Sequence, residues 1–83
     1  MTSSPDLRAL GVEVARRRLA AGMSIDRLAE AAAIHRRTII QIEAGRTAPR
    51  VTTLYAIAEA TSTPLRDLLA PLDEALERGH EVN

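Results

Sequence analysis

The sequence predicts an all-α domain of five short helices. Alanine and leucine, which favour helix, dominate the apolar residues, whereas Tyr55 is the only aromatic residue and the β-branched residues are scattered rather than alternating. Apolar positions recur at helical spacing in five stretches, with glycine, proline or a hydroxyl-bearing capping residue between them. At 83 residues the chain has surface enough to bury one core, and fifteen alanines make that core thin.

The first helix runs from Leu7 to about Ala21, with Leu7, Leu10, Val14 and Ala15 as its apolar stripe and Gly22 as its stop. Residues 1–6 ahead of it are expected to be flexible. Ser24 stands at the N-cap of the second helix, 25–32, and Asp26 lies in the first turn, where the helix dipole favours an acid. The third helix opens at Ile34 or His35 and runs to Ala44, with Ile39 and Ile42 inward and Gly45 as its close. Arg46 to Arg50, with Pro49 as breaker, reads as a loop into a fourth helix from Val51 to Ala60, whose buried face is Leu54, Ile57 and Ala58. Thr63 caps and Pro64 opens the fifth helix, which buries Leu65, Leu68 and Leu69 and is expected to end at Pro71. The folded domain is thus expected over 7–70, and 71–83 reads as an acidic tail with at most a short extra helical turn.

Composition removes several function classes. There is no cysteine, and His35 and His80 stand far apart without an H-E-x-x-H arrangement, so no metal or cofactor is expected. No stretch approaches the roughly 20 apolar residues of a membrane span, and the start lacks the pattern of a secretory signal; a cytoplasmic protein without membrane contact is expected. No nucleophile, base and orienting group cluster and no glycine-rich phosphate loop appears, so the chain is not expected to be an enzyme. Net charge is zero, but residues 1–50 hold nine arginines against five acids, whereas residues 51–83 hold two arginines against six acids. The chain is therefore polarised, and its basic half carries the two central helices.

Those two helices, 25–32 and 35–44, are joined by too few residues to lie antiparallel, so they must cross steeply. Ala29 supplies the small contact at the crossing, and Leu28, Ala32, Ile34, Ile39 and Ile42 supply the apolar set beneath it. This is a helix-turn-helix arrangement, in which the first helix spans a DNA backbone and the second enters the major groove.

Over about residues 8–70 the sequence resembles the phage-repressor and Cro-like (Xre-type) family of helix-turn-helix regulators. The landmarks are Gly22-Met23-Ser24, Leu28-Ala29, Ile34, Thr38-Ile39, Ile42-Glu43, Gly45-Arg46, Pro49, Thr53-Leu54, Ile57-Ala58 and Asp67-Leu68-Leu69, in family order. The resemblance implies that Arg18 and Glu43 form the ion pair that ties the first helix to the third. It also implies base contacts from His35, Arg36, Arg37, Thr38 and Gln41. The chemistry agrees, because arginine grips guanine O6 and N7 and glutamine pairs with adenine. For His35 a simple capping role is the alternative, and for Ile40 contact with a thymine methyl and a place in a dimer surface are both open. Phosphate contacts are implied for Ser24, Arg46, Thr47 and Arg50, with plain solvation the alternative for the two arginines. Three positions depart from the family pattern. Ile25 stands where glutamine is common, Ala33 replaces the usual turn glycine, and Thr61 falls where the fourth helix usually ends in leucine.

The function expected is therefore that of a sequence-specific regulator binding double-stranded DNA as a homodimer. A dimer interface through helix five and Leu65, Leu69, Leu72 and Leu76 is one expectation. The alternative is an antitoxin-like module that holds a protein partner through its acidic half.

Overall fold

The computed structural model describes residues 4–81, with side chains through Arg78. Five helices follow one another: α1 (Leu7–Ala20), α2 (Ile25–Ala32), α3 (Arg36–Glu43), α4 (Val51–Ala60) and α5 (Leu65–Glu81). Among the described residues there is no strand. The all-α class and the five-helix order are as the periodicity predicts, and helix ends agree to within one residue except at α5.

The starts of α1 and α2 and the end of α2 each have a visible cause. Asp6 accepts a hydrogen bond from the Ala9 backbone N–H at 3.0 Å and so fixes the start of α1, although the stretch 1–6 was expected to be flexible. The rest of that expectation falls on residues 1–3, outside the described residues. Ser24 is extended, and its Oγ accepts from Arg27 N–H at 3.1 Å. α2 ends at Ala33, which sits in the left-handed region at φ 56°, ψ 46°, while Ile34 N–H returns to the Ala29 carbonyl at 2.9 Å. This is the position at which the family pattern has glycine, and an L side chain there is strained by about 1–2 kcal/mol. Glycine would remove the strain but return some freedom to the unfolded chain. Ala33→Gly is therefore expected to stabilise the fold by about 0.5–1 kcal/mol, seen as a higher urea midpoint with an unchanged slope. A midpoint at or below that of the parent would show the turn to be relaxed as it stands.

The core is built from Leu10, Val14, Leu28, Ala29, Ile39, Ile42, Leu54, Ile57, Ala58 and Leu68, all buried. α1 packs on α3 and α5, α2 packs on α3 and α4, and α4 packs on α5. Thus α3 is clamped between α1 and α2 with Ile39 and Ile42 inward, and the side of α3 that carries Arg37 and Gln41 is turned outward.

At the end of α4 the threonine that replaces leucine leaves no unsatisfied polar group. Thr61 is buried, its hydroxyl donates to the Ile57 carbonyl at 2.8 Å, and the hydroxyls of Thr61 and Thr63 are paired at 3.0 Å. A buried hydroxyl bonded in this way avoids the desolvation penalty that an unpaired one would carry.

The expectation that the fifth helix stops at Pro71 is overturned. α5 continues through Pro71 as one helix to Glu81, so among the described residues the extra turn expected after Pro71 is part of α5 itself. Proline removes the single hydrogen bond that an N–H at 71 would make to the Asp67 carbonyl, and its ring crowds that carbonyl. Packing on both sides offsets this, because Leu65 and Leu69 before the proline and Leu72 after it all lie against the core. Beyond Leu72 the helix leaves that support, and Leu76 is exposed.

Candidate nucleic-acid interface

The turn between α2 and α3 sets the orientation of α3, and the periodicity of α3 divides its residues. Ile39 and Ile42 face the core, whereas His35, Arg36 and Arg37 are exposed and Thr38 and Gln41 are half-exposed. His35 occupies the N-cap with extended backbone, but its side chain makes no capping bond, so the ring is free on the surface. His35, Arg36, Arg37, Thr38, Gln41 and Thr47 line one open cavity of about 540 Å³. All five side chains expected to meet bases are thus brought together, with Thr47 beside them.

Thr47 arrives there because the chain turns sharply after α3. Gly45 adopts φ 71°, and Arg46 N–H returns to the Gln41 carbonyl at 3.0 Å. A side chain at 45 is also excluded by space, since its Cβ would lie 2.8 Å from the Arg8 Cα. Ser24, Arg46 and Arg50 do not line the cavity. Ser24 is at the start of α2, and Arg46 and Arg50 are exposed at either end of the loop before α4.

Beneath this surface Arg18 and Glu43 form a bidentate pair, with Nε to Oε2 at 2.7 Å and Nη2 to Oε1 at 3.1 Å. Nη1 of Arg18 donates to the Met23 carbonyl at 2.9 Å, so every nitrogen of the guanidinium is bonded internally. Both side chains are 12% exposed, and the bond to Glu43 raises the Arg18 pKa further above its ordinary value despite opposition from burial. Arg18 is therefore part of the scaffold that holds α3. On α1, burial alone would raise the Glu13 pKa, but hydrogen bonds from Arg17 and Arg16 hold it below the usual carboxylate value.

Two residues near this surface carry more than their local sequence suggests. Asp26, read from sequence as a first-turn acid, accepts a hydrogen bond from Arg36 Nε at 2.7 Å. The available signal was a pair of opposite charges in the first turns of consecutive helices. Gly11 lies in the apolar stripe of α1 and is buried at the crossing with α3; the signal was a glycine inside a helical pattern. Among the described residues no group of His, Asp and Glu is arranged to hold a metal ion. No helix there is long and apolar enough to cross a membrane.

A family model described as helix-turn-helix, HTH_3, matches residues 14–68. Among solved structures, the restriction-modification controller protein C.AhdI from Aeromonas hydrophila is similar, with a TM-score of 0.74 and 25% identity over 76% of this chain and 96% of its own. Two structures of the clp gene regulator ClgR from Corynebacterium glutamicum share the fold. One has a TM-score of 0.76 and 22% identity over 88% of this chain and 95% of its own. The other has a TM-score of 0.78 and 23% identity over 96% and 87%. No curated protein matches the sequence.

Proposed function

The chain belongs to the helix-turn-helix family HTH_3, and from that premise we propose that it is a transcriptional regulator that binds double-stranded DNA sequence-specifically, with α3 in the major groove. The observation that carries this reading is the open cavity on the outward side of α3, which gathers two arginines, a glutamine, two threonines and a histidine. These are donors and acceptors of the kinds that read base edges. In this reading Arg36 and Arg37 contact guanine, Gln41 contacts adenine, and His35 and Thr38 supply further contacts. Ser24, Arg46, Thr47 and Arg50 fix the register on phosphates. The regulator names carried by the similar structures agree with it.

One domain of this size has few phosphate contacts to offer, so two copies acting on a two-fold site, with half-sites about 34–36 Å apart, complete the proposal. The uninterrupted α5, with Leu76 exposed beyond Pro71, supports an interface there.

Selection of bound sequences from a random duplex pool tests this directly, since it returns sequence, symmetry and spacing together. Arg37→Ala is expected to erase preference at one base pair, worth about 1–3 kcal/mol there. Arg50→Ala is expected to weaken binding to all duplexes alike and to lower the slope of log K against log salt by about 1. A parent protein that enriches no sequence from the pool ends the proposal.

A further inference from the structure

We propose that Asp26 is a specificity-determining positioning residue, which holds Arg36 by one side of its guanidinium so that the other side is presented to a guanine. This rests on α3 being the helix that reads DNA. Asp26 is the second residue of α2 and Arg36 the first of α3, and Nε of Arg36 donates to Oδ1 of Asp26 at 2.7 Å. Among the described residues the two terminal nitrogens of Arg36 have no hydrogen-bond partner. A guanidinium is planar, so engaging Nε restricts the directions in which Nη1 and Nη2 can point. Those two nitrogens suffice for the parallel bonds to O6 and N7 of guanine.

The pair has little to do for the fold. Its side chains are 62% and 74% exposed, where screening and lost side-chain freedom leave an ion pair contributing only a small part of the fold's stability. The dipole of α2 accounts for an acid in its first turn but requires no contact with α3. Towards DNA the carboxylate is in itself unfavourable, because it repels the phosphates that the surrounding arginines attract. What the bond does provide is a bias of the arginine toward one rotamer before the duplex arrives, so that less rotamer freedom is lost on binding the correct base. Asp26 thus raises discrimination and lowers indiscriminate affinity, two effects of opposite sign.

The opposite signs supply the test. Duplexes are selected from a random pool by the parent protein, and affinity is then titrated for the selected site and for a scrambled one. Asp26→Ala is expected to lower the ratio of selected to scrambled affinity by about three- to tenfold. Binding to the scrambled duplex is expected to be unchanged or tighter. The lost preference falls at the base pair whose identity Arg36→Ala ceases to read, and Asp26→Glu restores part of it. In the Arg36→Ala background, Asp26→Ala has no further effect on the ratio. A ratio that stays level or rises, or a fall that persists without Arg36, overturns the inference. A parent protein that selects no sequence removes the premise as well, whereas a parent that selects one which Asp26→Ala still reads defeats this inference alone. Thermal melts of the same samples exclude loss of fold as a cause.

Discussion

Replacing Gly11 by alanine is expected to destabilise the fold by about 3 kcal/mol or more, at the upper end of what overpacking a core does. A Cβ on residue 11 would be driven against the Ile42 carbonyl oxygen and to 2.6 Å from that of Glu43. Both oxygens belong to backbone in the last turn of α3, which has no rotamer to escape into, so α1 and α3 would have to separate. Alanine is the better helix former by about 1 kcal/mol, which offsets only part of this. Total stability for a domain of this size is on the order of 4–12 kcal/mol, so such a loss is a large fraction of it. Urea unfolding followed by circular dichroism measures the effect, with Gly22→Ala as the comparison. At Gly22 a Cβ meets nothing within 4 Å, and only the left-handed backbone at φ 72° is penalised, by about 1–2 kcal/mol. If Gly11→Ala proves the milder of the two, the tight crossing of α1 and α3 is disproved.

Glu43→Ala is expected to be nearly as damaging, at about 3 kcal/mol, because it strands the Arg18 guanidinium at 12% exposure with only the Met23 carbonyl for company. Arg18→Ala leaves the carboxylate of Glu43 in the converse position. Removing both charges together, as Arg18→Met with Glu43→Leu, is expected to recover most of the loss, since apolar side chains of similar volume fill such a site without a desolvation penalty. A double-mutant cycle of chemical denaturation separates the pair's coupling from the packing of the two stems. Losses below about 1 kcal/mol in either single variant would put this pair in the class of exposed ion pairs and withdraw its role as the tie between α1 and α3.

The pieces of this architecture that depend on near neighbours in sequence could be read from the sequence. Ser24 caps α2 because a hydroxyl needs only the N–H three residues on, and Ile39 and Ile42 point inward while Gln41 points outward because 3.6 residues make a turn. The same period puts Arg37 and Gln41, four residues apart, on the outward side of α3, and His35, Arg36 and Thr38 join them only because the start of the helix stands open beside that side, so the cavity was legible in part before its shape. Other features depend on how helices meet. Gly11 is required by two carbonyls more than thirty residues away, and nothing local distinguishes it from a glycine that merely weakens a helix. The bond between Asp26 and Arg36 exists only at the crossing angle that the α2–α3 turn imposes. Pro71 shows the reverse case. A local rule that normally ends a helix is overridden by leucines on both sides that reach the core, and a rule about hydrogen bonds does not record that packing.

The close approach of Gly45 to the backbone of Leu7 and Arg8 has a practical corollary. It brings the first turn of α1 against the exit from α3, so a chain fused at the N-terminal end is attached on the side of the loop that carries Arg46 and Thr47. Where α3 reads DNA as proposed, an affinity tag or fluorescent fusion at that end is expected to crowd the duplex and depress measured binding. Binding measured with a tag at each end in turn would report how near the first turn of α1 stands to the duplex.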